Sequence, residues 1–495
     1  MKALADRRIP PAQENRPRVF DRSQTIRNIR RLIWLYLWLL IFEGAFRKWI
    51  IPQLSTPLLL VRDPVVVLIY VLALRARLFP QNVYVVSLEI IALSSWAAGI
   101  IVLLPFLPLH IIVLVTGYGM RSNFLHLPLI FIIPAVFNLE DVKRVGWWTI
   151  VGMIPMALLM ALQFVASPES LVNRTAGVGE GLQIQAGSGK IRPPGVFSFV
   201  SGTIYYLSAV AAFLLHAVLA KLPYKTWLLA ASCASLIVSM GVSGSRSTVL
   251  AVLLVVASVG LILLVRPNLV NKFGRHLLLA VAVTWAISYA PFFREGLGIL
   301  SSRFTDSAEQ GETTIVAGLI SRVLEGFTEA LRLLTRAPLG GYGLGVGTAG
   351  GASFLTGQAD FLLAENEWPR ILLESGPILG LAFVVWRSAL ACKLGLFAVR
   401  QLLAGNTLPL LLLSAGLFVF LQGPFGQPTS LGFAVVFAGL CLAARPVEPT
   451  VAAEPDSSNN ASNEPPRRVR RRSKYAERLH GSTTRARSAH GPFDR

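Results

Sequence analysis

Charge is scarce in this chain, and cysteine and histidine are scarcer. Charged residues make up 15% of the 495 positions and hydrophobic ones 54%, with a mean hydropathy of +0.59. A soluble domain of ordinary usage carries about 25% charged residues, so the shortage excludes that class. The three cysteines, Cys233, Cys392 and Cys441, all fall inside apolar segments. They offer neither a disulfide framework nor metal-ligand spacing, and are expected to be plain helix-packing residues, with no metal and no cofactor. None of the six histidines lies between 294 and 370. The first thirty residues are polar and Arg-rich without an apolar run, so no cleavable signal peptide is expected.

What the chain has instead is apolar runs of about 20 residues, long enough to cross a bilayer as helices. They recur from residue 31 almost to 444, and predict an all-α polytopic membrane protein. Helices are expected over 31–49, 57–75, 83–104, 124–138, 145–166, 199–220, 225–243, 247–265, 276–293, 371–392, 407–422 and 428–444, about twelve transmembrane helices. The stretch 105–123 (FLPLHIIVLVTGYGM within it) is apolar but short and Gly-punctuated. It is expected to be re-entrant or interfacial, since non-helical backbone at membrane depth is tolerated where protein buries it.

The net charge of +20 would suggest nucleic acid in a soluble protein, but its placement points to a membrane. Much of it sits at the ends, in Arg7 to Arg31 and in RRVRRRSK from Arg467 to Lys474. The positive-inside rule then makes both termini cytoplasmic and the number of spans even. Residues 1–30 form a basic cytoplasmic N-terminus, 31–293 the first part of the bundle and 371–444 the last part. The Pro-, Ser- and Arg-rich segment 445–495 is expected to be a disordered basic tail. Two long polar segments fall outside, 167–198 and 294–370. In the second, Val316, Leu319, Val323, Phe327, Leu331 and Leu334 recur at helical spacing and predict an amphipathic helix on the membrane surface.

Functional groups gather at that outer side: Arg192 in IRPPGVF, Arg246 in GSRS, Arg322 on the amphipathic helix, and Glu365, Asn366, Glu367 and Arg370 in AENEWPR. Guanidinium groups make bidentate, permanently charged hydrogen bonds to phosphate, which suits a lipid-tethered diphosphate. A nearby carboxylate suits a general base toward an incoming hydroxyl. Plainer roles stand beside these. Arg322 can pair with Glu325 or Glu329, Arg192 and Arg246 can snorkel to the membrane boundary, and Glu365 and Glu367 can simply favour a helix N-terminus.

In order, GSRS, SRVLEGFTEALRLLTRAPLGGYGLG and AENEWPRILLESGPILG resemble the membrane domain of bacterial O-antigen ligases and O-antigen or exopolysaccharide polymerases. The resemblance runs from about Arg192 to Gly380. FEGAFRKWIIPQLSTPLLLVRDP, from Phe42 to Pro64, is similar to the opening of an O-antigen ligase-like subgroup. The resemblance implies a GT-C-like integral-membrane glycosyltransferase. It would move a glycan from an undecaprenyl diphosphate carrier to an acceptor hydroxyl at the outer face of the bacterial inner membrane, without nucleotide sugar or metal. Carried over, Arg192, Arg246 and Arg322 bind the diphosphate, Glu365 or Glu367 is the catalytic group, and Asn366 and Arg370 support them. Family ligases have a histidine where Glu365 stands, which leans the reading toward a repeat-unit polymerase, with a chain-length regulator as a partner.

A ligase acting on a lipid A-core or protein acceptor is the first alternative, and a transporter of lipid-linked oligosaccharide the second. A transporter lines its path with charge on several helices. The spans read as nearly charge-free apart from Arg62, Asp63 and Glu89, which favours chemistry at the outer face.

Overall fold

The computed structural model describes residues 22–176, 183–187, 189–269, 284–309, 326–358 and 362–446. They are mostly helical. Seven helices are long and apolar enough to cross a membrane: Pro52–Arg75, Val83–Leu103, Leu109–Val136, Leu139–Val165, Val200–Leu219, Arg246–Val265 and Glu367–Leu403. Three shorter apolar helices, Thr226–Val242, Leu408–Gln422 and Pro428–Ala443, join them. We label the elements α1 (Arg22–Ala45), α2 (Arg62–Arg75), α3 (Val83–Leu103), α4 (Leu109–Val136), α5 (Leu139–Val165), β1 (Gln185–Gly187), β2 (Lys190–Ile191), α6 (Val200–Leu219), α7 (Thr226–Val242), α8 (Arg246–Val265), α9 (Pro291–Glu309), α10 (326–334), α11 (Ala349–Thr356), α12 (Glu367–Leu403), α13 (Leu408–Gln422) and α14 (Pro428–Ala443).

The core is built around α14, which is apolar all round and buried along nearly its whole length, as a helix without a polar face must be. Neighbours reach it through glycines: Gly416 of α13 lies against Phe437, and Gly439 receives Ile133 of α4. Just past that end of α4, Asn138 and Asp141 form a capping box that starts α5. Arg30 of α1 reaches the Val136 carbonyl at 3.0 Å and Asp141 at 3.5 Å. One cation thus ties the end of α4 and the start of α5 to α1.

Four expectations change. The first helix runs from Arg22 to Ala45 and not over 31–49; its last turn passes into a π-helical turn, Phe46–Ile50. The piece expected as re-entrant, 105–123, is joined to 124–138 in the single rod α4. At 1.5 Å per residue its 28 residues reach about 42 Å, enough for one crossing. The rod changes pitch at a π-helical turn, Arg121–Leu125, and again before Pro128.

The third change is in α12, where the expected helix 371–392 is really two arms. Gly376 takes φ +75° and ψ 172°, and Pro377 follows. In a straight helix Glu367 and Arg387 would stand about 30 Å apart, yet their side chains meet at 2.9 Å. The arm Glu367–Ser375 therefore folds back along the span that begins at Pro377, with Leu372 packed on Gly380.

The fourth concerns the amphipathic helix. Val316, Leu319 and Val323 lie outside the described residues, as do Arg322 and Glu325. From 326 onward the helix docks on protein: Phe327, Ala330 and Leu334 pack with Trp368, Leu372 and Val384 of α12, while Leu331 is 61% exposed. The first eight residues of the expected helix 276–293 and the tail 447–495 also lie outside the described residues; the rest of 276–293 is broken by a turn at 288–290, after which α9 runs on past 293.

Candidate active site

The Arg192 loop is seated by the motif at the end of α1. Gly44 has no side chain because the backbone of Val196 to Ser198 occupies that space. One turn on, Arg47 donates to the Ser198 hydroxyl at 3.0 Å, and Lys48 donates to the Gly195 carbonyl. Gln163 of α5 holds Gly195 from both sides, accepting its N–H at 2.8 Å and donating to its carbonyl at 3.1 Å. Gly195 has φ +59°, with Met156 filling the space beside it, a backbone that suits glycine. Upstream, the hairpin of β1 and β2 aligns the loop, and the Arg192 N–H donates to the Ile184 carbonyl at 2.8 Å. The phrase FEGAFRKW is thus a seat for PPGVF. Lys48 lies past the end of α1, in the π-turn, and is 1% exposed. Burial pushes its ammonium down to about 7, because the charged form is the one that loses most when water is removed.

Arg192 and Arg246 come together. Arg246 opens α8 behind Ser245, and Gly244, at φ +54°, packs on Ala186 of β1 and on the Arg192 side-chain stem. Both residues are half-buried. The head of α6, eight residues past Arg192, binds the head of α14 through Ser201 to Gln427 and Tyr205 to Ser430, each at 3.4 Å. Two residues before Gln427, the Phe425 N–H donates to Glu367 at 3.1 Å. A run of contacts therefore joins the arginine loops to the folded-back arm of α12.

That arm and the two residues before it carry the remaining candidates in contrasting settings. Glu365 is exposed. Asn366 is exposed and donates to Glu329 of α10 at 2.8 Å, while Phe327 stacks on Trp368 at 5.3 Å. Glu367 and Arg370 are buried. Glu367 Oε1 accepts from Arg387 at 2.9 Å, and Oε2 accepts from Arg370 at 2.8 and 3.0 Å. Arg370 also stands 2.9 Å from Glu374. Two carboxylates face two guanidinium groups, a closed set in which Arg387 also donates to the Gly423 carbonyl and lies over the Phe425 ring. A proton acceptor at Glu367 would have to give up these partners.

The reversal at Gly376 has a second consequence. Pro377 has no N–H to offer the Leu373 carbonyl, four residues back, so that carbonyl accepts from Tyr342 at 2.7 Å; Glu374 O accepts from Gly343 at 3.1 Å. The Glu374 carboxylate takes the Gly347 N–H at 3.0 Å. The motifs PLGGYGLGVG and ESGPILG are two halves of one interlock.

Sequence reasoning missed a second buried polar set, which revises the view of the spans as nearly charge-free. Asp63 of α2 pairs with Arg121 at 2.6 Å and with His126 at 2.9 Å. His126 meets the Tyr36 hydroxyl at 2.9 Å, and Arg62 pairs with Glu43 at 3.1 Å. The π-turn that carries Arg121 also carries Asn123, which accepts from Arg370 at 2.8 Å and donates to Glu374 at 3.3 Å. Single-turn π segments inside α-helices are frequent at functional sites. The only sequence signal was the adjacent pair Arg62 and Asp63; its partners lie 58 and 63 residues away for Asp63.

No protein-family model matches the chain, and no curated protein matches it.

Proposed function

We propose that the protein is an integral-membrane glycosyltransferase of the O-antigen ligase and polymerase kind, GT-C-like, with twelve spans and both termini cytoplasmic. It would take a glycan from an undecaprenyl diphosphate carrier at the outer face of the inner membrane and join it to an acceptor sugar hydroxyl, acting as a repeat-unit polymerase. The observation that carries this reading is the packing of the Arg192 loop on the Gly244 turn that opens α8. It sets Arg192 and Arg246 on adjoining loops, in a run of contacts that reaches the arm just after Glu365.

Glu365 accepts the acceptor hydroxyl proton as that oxygen bonds to the anomeric carbon. The bond from that carbon to the diphosphate oxygen breaks, and the diphosphate leaves against Arg192, Arg246 and Arg322. Electrostatic groups aimed at a departing charge contribute on the order of 10² to 10³ each. Purified Arg246→Ala, given a lipid-linked donor and acceptor, is therefore expected to lose about 10²-fold or more in turnover with unchanged thermal midpoint. Arg246→Lys should fall nearly as far, since lysine lacks the bidentate fork. Turnover within twofold of wild type would remove the arginine from the site.

A transporter is the second reading, and one observation favours it: buried ionisable side chains on α1, α2, α4 and α12. Intramembrane ionisable groups often mark substrate pathways. Those recorded here are mostly paired with one another, which suits helix fastening equally well.

A further inference from the structure

An apolar cleft lies between α1 and α5, floored by α6 and α14, with about 1130 Å³ of empty space, its open side included. Apart from Thr149 and the Tyr206 hydroxyl its lining is apolar or indole-bearing, and that hydroxyl is already spent on the Thr149 carbonyl at 2.9 Å. Trp38, Phe42 and Trp148 at its rim are 38, 39 and 44% exposed. Along α5 the cleft extends from Val145 to Leu159, about 21 Å at 1.5 Å per residue. One leaflet's hydrocarbon is about 15 Å deep. The cleft therefore has the length and the lining for one acyl chain.

Its two ends differ. At one end it is lined by Val196, which follows Arg192 in sequence. At the other, Arg30 of α1 lies 3.5 Å from Asp141 in the first turn of α5, so the two helices enter the cleft side by side. Just beyond that pair come Arg31 on α1 and Arg144 on α5, both exposed. Arg31 shares a helix face with Trp38, two turns on, and Arg144 shares one with Trp148, one turn on. Those two indoles meet edge to face at 5.5 Å. The carboxylates at this end are taken, Asp141 by Arg30 and Glu140 by Lys143 at 2.7 Å. Among the described residues neither Arg31 nor Arg144 has an ion-pair partner.

We infer that the cleft holds one acyl chain of an anionic glycerophospholipid whose phosphate lies between Arg31 and Arg144. Both arginines stand on the side of the basic N-terminus, which the positive-inside rule makes cytoplasmic. The cytoplasmic leaflet is the anionic one, and basic pockets between helices there take anionic headgroups. Indoles suit the level just below such headgroups. The lipid carrier of the proposed reaction would bring its head to the Val196 end, whereas Arg31 and Arg144 stand at the far one. The phospholipid is thus no substrate; it fills the space between two helices that are joined beside Arg30.

The probe is phosphatidylglycerol, added in detergent to the full chain and followed by native mass spectrometry. Wild type should bind it. A basic residue near an anionic surface is worth about 1 kcal/mol, so Arg31→Ala and Arg144→Ala should each weaken binding about fivefold and the double variant about thirtyfold. Both side chains are exposed, and folding is expected to survive their loss. Phosphatidylcholine, with the same chains and no net charge, should bind wild type about as weakly as the double variant binds phosphatidylglycerol. Unchanged affinity in the double variant, or equal binding of phosphatidylcholine, would overturn the headgroup site. Free glycerol phosphate should not compete, because it leaves the cleft empty; competition at equal concentration would overturn the role of the cleft. Displacement by an equal amount of undecaprenyl diphosphate would hand the cleft to the donor's chain and overturn the assignment. Binding is read without donor or acceptor, so its outcome is separate from that of the transfer reading.

Discussion

Glu365 and Glu367 are two residues apart and live in opposite surroundings. Glu365 is exposed, whereas Glu367 is 4% exposed and held by Arg370, Arg387 and the Phe425 N–H. Removing one partner of a buried ion pair leaves the other charge uncompensated and costs about 3–5 kcal/mol. Glu367→Gln should therefore lower the thermal midpoint sharply, whatever it does to activity. Glu365→Gln should leave the midpoint unchanged while cutting turnover by about 10² or more, the usual loss for a general base. A Glu365→Gln enzyme with full turnover would return Glu365 to a helix-terminal charge. The sequence identified these residues as a group but not their division of labour. Glu367 finds Arg387 only through a reversal of the chain, and Asp63 finds Arg121 only through the packing of α2 on α4; neither is a matter of periodicity.

At the scale of elements, the reversal at Gly376 is the feature on which the site rests. Its φ of +75° lies where an L side chain is strained, and the Leu339 carbonyl and the Gly341 nitrogen occupy the space a Cβ would need. Gly376→Ala is expected to release segment 339–347 from α12, and with it the arm that carries Asn366. Limited proteolysis should then cut at Tyr342 in the variant and not in the wild type. Equal resistance of the two would mean that the interlock does not depend on this turn. The expected helix 371–392 ran straight through ESGP, although Gly followed by Pro is a helix-breaking signal. That the break is a fold-back, and that PLGGYG supplies the hydrogen bonds Pro377 cannot, depends on a partner more than thirty residues away. The same limit hid the unity of α4: GYGM looks like punctuation, yet Gly119 and Gly99 are places where segment 344–345 packs close.

At the scale of the molecule, hydropathy made most of the helices legible, because runs of apolar residues must leave water whatever their packing. Sidedness rests on basic connectors such as Lys143 with Arg144 and Lys221 with Lys225, which the positive-inside rule assigns to the cytoplasm. Reporter fusions at Lys143 and Lys221 are expected to read cytoplasmic, and fusions at Arg174 and Gly350 external. The opposite pattern at Arg174 and Gly350 would put the arginine loops on the side away from the proposed acceptor. Enzyme and transporter share this topology and these cations, so neither sidedness nor charge separates them. What separates them is whether a bond is made without a membrane to cross. The deciding measurement is therefore product formation by the purified wild-type chain in detergent, with an undecaprenyl-diphosphate-linked repeat as both donor and acceptor. Glycan chains longer than one repeat, formed with stoichiometric release of undecaprenyl diphosphate, are the predicted result. Donor recovered intact there, together with movement of the same lipid across the bilayer in reconstituted vesicles, would contradict the account.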